Sequence, residues 1–264
     1  FSRAFVNLDK LPEKFDVFVD VSPNLGDGRV SRFLRFPLKR KMRWALSYGW
    51  DFAPRILTIG IWDSVEIVET NGAFIRDIYA YGDTKGNIDV QYSVEARGPV
   101  EVTVELLDDS HLVDVSRIRH DSGGLILNTA KLRIDRPEFW WPWDLGDRHF
   151  YVVRLTVESD GEMLDRVEEK FGLRTVRRDR DFGLVINGER INIRGINWVP
   201  IDSLLDLRED RYVDLINGVF EVNANLIRVW GGGLRERRIF YELTDRMGIM
   251  VWQEFPFACE DIEK

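Results

Sequence analysis

A chain of 264 residues has room for one or two domains, and 44% hydrophobic with 31% charged residues is the balance of a globular protein rather than a disordered one. A formal net charge of −8 repels phosphate backbones and argues against a nucleic-acid partner. The run of about eighteen apolar residues that a membrane-spanning helix needs does not occur, and the single cysteine, Cys259, excludes an internal disulfide.

The lone cysteine suits a reducing compartment, or an exported protein that does not rely on disulfides; a cytoplasmic location is the expectation. His111, His120 and His149 lie far apart and form no ligand pattern such as H-E-x-x-H, so no metal and no other cofactor is expected. The basic run Arg35 to Arg43 reads as a solvated face. Nine Trp and sixteen Phe are generous. Aromatics dominate β-rich cores and also stack on sugar rings, and composition does not separate the two uses.

In chain order, Phe15 to Val21 alternates with period two, as a half-buried strand does. Pro23 to Arg29 carries a turn signature, and Ile56–Ile61 and Ser64–Thr70 read as two further strands. Between 76 and 178 almost everything is β. Candidate strands are Ile75–Tyr81, Asn87–Ala96, Val100–Leu107, His111–Arg119, Gly124–Ile134, Tyr151–Ser159 and Arg166–Arg174, which together suggest a sandwich. The cluster Phe139-Trp140-Trp141-Pro142-Trp143 is expected to cover one end of it. From about 179 the period changes. Asn187-Gly188 between Leu184–Ile186 and Arg190–Ile193 is a hairpin signal, and Ile191–Ile196 reads as a strand. Glu209–Val222 has helical spacing and Asn225–Trp230 is an apolar strand. Arg235–Met247 is a second helix with Gly248 as its C-cap, and Ile249–Trp252 is a third strand. Strand, helix, strand, helix, strand implies a parallel sheet. Three strands are too few to close a (β/α)₈ barrel, so the C-terminus is expected to cut through a domain.

Three motifs then point to a family. Ser47-Tyr48-Gly49-Trp50-Asp51-Phe52-Ala53-Pro54-Arg55, followed by Gly60-Ile61-Trp62, resembles the Gly-Trp-Asp-Trp-Gly-Pro…Gly-Ile-Trp signature of β-mannosidases in the glycoside hydrolase 2 family. Ile186-Asn187-Gly188 through Arg194-Gly195-Ile196-Asn197-Trp198-Val199-Pro200 is similar to that family's entry into its barrel. Asn225 to Gly233 (NLIRVWGGG), with Phe240-Tyr241 and Gly248 to Phe255 (GIMVWQEF), is the third. The resemblance implies the end of a jelly-roll sugar-binding domain over 1–75, an immunoglobulin-like β-sandwich over 76–178 and the first strands and helices of a (β/α)₈ catalytic barrel over 179–264. The fold class expected is therefore mostly β with a C-terminal α/β part.

The same resemblance implies roles. Trp50 and Asp51 would reach the catalytic pocket, where an ionised carboxylate suits sugar hydroxyl donors; without it they read as a buried Trp beside an Asp in a turn. Phe52 and Ala53 depart from the usual Trp and Gly, which bears on the pocket wall. Arg228 would orient the nucleophilic carboxylate and Trp230 would wall the subsite, against the plainer readings of an ion pair and a packed aromatic. Asn197 and Trp198 are weaker substrate-binding candidates. Gly231-Gly232-Gly233 lacks the Lys-Ser/Thr of a phosphate loop and reads as a tight turn. Glu254 ends the third strand where the mannosidases usually have Asp. In the related galactosidases a Glu here helps bind a metal, but the accompanying His is absent. It is not assigned as the acid, because retaining hydrolysis needs two carboxyl groups about 5 Å apart. The family carries them after the fourth and seventh strands, and no Asn-Glu dipeptide occurs here after residue 230.

The expectation is an internal fragment of a retaining exo-β-mannosidase, with a β-mannoside as its carbohydrate partner, no catalytic residue on this chain and no turnover by it alone. A non-catalytic carbohydrate-binding module, or a family member acting on a glucuronide or galactoside, are the alternatives. A half barrel leaves an open edge, which a homo-oligomer is one way to cover.

Overall fold

The computed structural model describes residues 16–19, 45–56 and 60–258. They divide into two compact units. One holds 66–194 and 245–249; the other holds 195–244, 250–258 and the described residues up to Val65.

The first unit is a β-sandwich. Its strands are β1 (Ala73–Gly82), β2 (Asn87–Ala96), β3 (Val100–Asp108), β4 (His111–His120), β5 (Gly124–Arg133), β6 (Tyr151–Ser159) and β7 (Glu162–Phe171). They form two antiparallel sheets, ordered β1-β2-β5 and β4-β3-β6-β7. Three strands facing four in this order is an immunoglobulin-like arrangement. It follows from strict alternation. In β2, Ile88, Val90, Tyr92, Val94 and Ala96 are buried while Asn87 and Gln91 are exposed. The inward residues of both sheets merge into one cluster in which Val94, Val104, Leu106 and Leu155 have no exposed surface. Each such side chain contributes about 1.5–3 kcal/mol on leaving water.

Two turns set the register. Asp160 and Gly161 both take positive φ, 52° and 81°, which closes a tight hairpin between β6 and β7. That hairpin starts the seventh strand at Glu162, earlier than the expected Arg166–Arg174. Asn187 and Gly188, at φ 50° and 95°, make the expected hairpin between β9 (Leu184–Ile186) and β10 (Glu189–Arg190), with β8 (Val176–Arg178) beside β9. The indole of Trp140 is buried and donates to the Asp245 carbonyl at 2.8 Å, while the Arg174 guanidinium lies 4.5 Å from its ring centroid.

The second unit contains β11 (Gly195–Trp198), α1 (Glu209–Glu221), β12 (Leu226–Val229), β13 (Met250–Gln253) and all but the last turn of α2 (Arg238–Met247). Its three strands are parallel, in the order β11-β12-β13. The strand expected at Ile191–Ile196 lies later, because Ile191 donates its N–H back to Leu184 in the hairpin. Glu209 and Asp210 favour the start of α1 by facing its positive dipole end. Gly248, at φ 72°, follows α2 as expected. The sheet is open, and no closed barrel is present among the described residues. No described helix is long and apolar enough to cross a membrane.

Ser64 to Thr70, expected as a strand, is irregular. Val65, Ile67 and Val68 are all exposed, so neither face has a sheet to bury against. Residues 16–19, and 56, 60 and 61, also carry no strand. The rest of Phe15–Val21, the turn at Pro23–Arg29 and positions 57–59 lie outside the described residues. So does most of the segment expected to be jelly roll.

Candidate functional site

The carboxyl ends of parallel strands are where ligands bind in α/β sheets, because loops there can vary without disturbing the ladder. In the parallel-sheet unit these ends carry Trp198, Trp230 and Glu254. Register aligns Asn197 with Arg228 and Trp252, so these three share the face away from Trp198.

A second element meets this edge. Trp50 and Ala53 exchange backbone hydrogen bonds of 2.8 and 3.2 Å, closing a tight turn with Asp51 and Phe52 exposed at its tip. Leu46, in the 3₁₀ turn Ala45–Tyr48, donates its N–H to the Gly232 carbonyl at 2.9 Å. Trp50 then meets Trp230 edge to face, with ring centroids 4.9 Å apart at 64°. Phe52 also approaches Trp230, at 6.1 Å. Residues 180 positions apart are thus brought together in the Trp50–Trp230 contact, with Asp51 next to Trp50 in the exposed turn and Arg228, in β12, two residues before Trp230.

The glycine run explains how Trp230 is held. None of Gly231, Gly232 and Gly233 has positive φ, so the run is not there for backbone freedom. It is there for space. A Cβ on Gly232 would overlap the Trp230 ring, one on Gly231 would lie 2.5 Å from the Phe255 carbonyl, and one on Gly233 would lie 2.8 Å from the Pro200 ring. Gly233 donates to the Trp230 carbonyl at 3.1 Å, which makes the tight turn expected there.

Arg228 is engaged on both sides. Its Nε and Nη2 donate to Glu254 Oε1 at 2.7 and 2.6 Å, and its Nη1 donates to Asn197 Oδ1 at 3.0 Å. Glu254 Oε2 accepts from the Gly231 N–H at 2.8 Å. That backbone N–H, aided by Arg228, outweighs partial burial and holds the Glu254 carboxyl below the usual glutamate range. An ionised, fully engaged carboxylate is a poor proton donor and a good anchor for Arg228.

Trp198 lies on the other face, buried to 6% exposure. It stacks with Tyr212 at 6.5 Å and packs on Phe240 at 5.0 Å. Its indole N–H donates to Glu236 Oε1 at 3.0 Å, and Tyr212 donates its hydroxyl to the other carboxylate oxygen. Glu236 is only 3% exposed, and burial pushes its carboxyl above the usual range against the pull of these two donors. Burial and the neighbouring Glu236 push the Tyr241 phenol up to about 12. Sequence reasoning missed Glu236, which falls in the helix expected over Arg235–Met247 with charged neighbours on both sides and no local sign of burial. The Arg228–Glu254 pairing becomes readable only once the register of β12 and β13 is known. No group of three or more metal-binding side chains occurs among the described residues.

Comparison with known proteins gives these features a lineage. Residues 73–174 match the family model described as Glycosyl hydrolases family 2. The chain is 34% identical over 227 residues to β-mannosidase B of Emericella nidulans, covering 80% of this chain and 27% of that one. It is 34% identical over 246 residues to β-mannosidase of Capra hircus, covering 83% and 27%. The solved structure of β-D-mannosidase from Dictyoglomus thermophilum superimposes with a TM-score of 0.74 at 35% identity, over 82% of this chain and 28% of that one. The chain therefore spans about a quarter of the length of the relatives it matches. Its residues 73–174 are a domain matching Glycosyl hydrolases family 2, and over about four-fifths of its length the chain is similar to β-mannosidases.

Proposed function

We propose that this chain supplies substrate-positioning side chains to a retaining exo-β-mannosidase, with both catalytic glutamates outside these 264 residues. On this reading 76–178 is the immunoglobulin-like domain, 1–75 closes a jelly roll, and 179–264 opens a (β/α)₈ barrel of which β11, β12 and β13 are the first strands. Asp51 accepts sugar hydroxyls, and Trp50 and Trp230 wall the subsite. Arg228 orients the nucleophilic carboxylate, Asn197 beside it contacts the substrate, and Trp198 fixes the strand end from below through Glu236.

The observation that carries the reading is the edge contact between Trp50 and Trp230, which brings the Asp51 turn to the carboxyl end of β12. The engagement of Glu254 supports leaving the acid and nucleophile to other residues. Retaining hydrolysis would proceed by attack of one glutamate on the anomeric carbon while the other protonates the leaving oxygen.

The test is hydrolysis of 4-nitrophenyl β-mannoside. The 264-residue chain should show none. The longest native form of the protein should show turnover that falls about 10- to 100-fold in Asp51→Asn, the size expected for losing hydrogen bonds to a charged acceptor. Turnover by the 264-residue chain, or an Asp51→Asn enzyme of full activity, would sink the assignment.

A further inference from the structure

A second surface, in the sandwich unit, carries the chemistry of a ligand site. The outer face of the β1-β2-β5 sheet holds a groove of about 410 Å³, within the range of small-ligand sites, roughly 300–1,000 Å³. Register lays out its floor in rows. Asp77, Ser93 and Leu127 form one row, and Tyr79, Gln91 and Thr129 form the next. Tyr81, Asp89 and Lys131 follow.

The rows differ from an ordinary solvated sheet face in three respects. First, Tyr79 and Tyr81 point outward from the same strand with ring centroids 5.6 Å apart and planes tilted by 32°, and Tyr79 is 63% exposed. An exposed aromatic ring offers its face to the C–H bonds of a flat polar molecule. Second, the groove holds hydrogen-bonding capacity that the protein does not use. Gln91 donates to the Tyr81 hydroxyl at 3.4 Å, which leaves its carbonyl oxygen without a partner among the described residues. The Asp77 carboxylate makes no hydrogen bond or ion pair among them, and Ser93 and Thr129 add two hydroxyls. Third, the charges around the groove are paired: Asp89 with Lys131 at 3.0 Å, and Arg76 with Glu95. Asp77 is left as the uncompensated charge. A lone carboxylate repels phosphates, sulfates and uronates, and it accepts strongly from hydroxyl donors. The leucine at 127, 72% exposed, extends the apolar edge on the far side of the groove.

We propose that this face binds a short stretch of neutral oligosaccharide, with Tyr79 stacking on a sugar ring and Asp77 and Gln91 accepting its hydroxyls. An apolar protein surface would leave Asp77 buried and unpaired, which is costly; a polyhydroxylated ligand satisfies it. The site goes beyond the proposed hydrolytic role and needs no turnover to be seen.

The test is affinity electrophoresis of the 264-residue chain in gels containing galactomannan, hydroxyethyl cellulose or polygalacturonate, followed by calorimetry with β-1,4-mannotetraose. A neutral polymer should retard the chain, and polygalacturonate should not. Tyr79→Ala should weaken binding at least tenfold with an unchanged thermal midpoint, and Tyr79→Trp should keep it or strengthen it. Four results would overturn the proposal: no retardation by either neutral polymer, stronger retardation by polygalacturonate, retardation unchanged in Tyr79→Ala but lost in Trp50→Ala, or no saccharide binding together with a dimer that Tyr79→Ala dissociates. The third assigns the sugar to the Trp50 turn; the fourth makes the face a contact between copies.

Discussion

The two units solve the problem of an interior in opposite ways. The sandwich buries alternate aliphatic and aromatic side chains from β1, β2, β3, β5 and β6 with partly buried ones from β4 and β7 packed against them, and its buried polar side-chain atoms in these strands are the Tyr92, Tyr151 and Thr156 hydroxyls. The parallel-sheet unit buries chemistry. Glu236 and Asn225 are at or below 3% exposure, and Glu236 is held by Trp198 and Tyr212. A dry interior tolerates changes that keep volume and polarity. A polar interior depends on every partner being present. The first is suited to carrying a scaffold and the second to fixing side chains at a strand end.

Mutations should expose this contrast. Leu155→Ala in the sandwich core should cost the most, about 2–5 kcal/mol in urea unfolding, from lost transfer energy and the cavity left behind. Glu236→Leu should follow, at about 2–3 kcal/mol, because it strands the Trp198 indole and the Tyr212 hydroxyl without an acceptor. Should Glu236→Leu instead prove neutral, the polar interior would be no more demanding than the dry one. Arg228→Met should cost about 1 kcal/mol, since its pair with Glu254 is partly exposed and screened. On the sandwich surface, Lys131→Ala should stay within about 0.5 kcal/mol despite its ion pair with Asp89.

The parallel-sheet unit also contains two glutamates with opposite pH behaviour. Both start from the ordinary value of 4.5. Glu236 is raised in the folded chain. Its contribution is complete below pH 4.5 and is lost as pH rises through the elevated folded value. Glu254 is lowered. Its contribution is present above pH 4.5 and is lost as pH falls through the depressed value. Thermal midpoints measured from pH 3 to 9 should therefore change in opposite directions: Glu236→Gln flattens the decline on the alkaline side, and Glu254→Gln flattens it on the acid side. Identical profiles for the two variants would rule out this division.

How much of this was readable beforehand tracks the same contrast. Asn87–Ala96 and Tyr151–Ser159 were located to the residue, because central strands alternate cleanly and both faces report their burial. The last sandwich strand was set too late, because β7 is a polar strand at the sheet edge whose start is decided by the Asp160-Gly161 turn. Ser64–Thr70 was misread because an alternating apolar pattern does not say whether a partner exists. In the parallel-sheet unit the order of elements is legible from the change of period, and motif resemblance singles out Trp50 and Trp230, which the fold brings into contact. Glu236 is not legible, because local charge density says nothing about burial when a distant Trp198 and Tyr212 supply the donors.

The contact between Trp50 and Trp230 has an optical consequence. Two indoles 4.9 Å apart at 64° couple their strong far-ultraviolet transitions, so their circular dichroism there is a paired signal rather than the sum of two isolated chromophores. That signal depends on the 45–55 segment lying against the strand end. It gives the molecule a native spectroscopic gauge of whether its candidate site is assembled, readable without substrate, label or turnover.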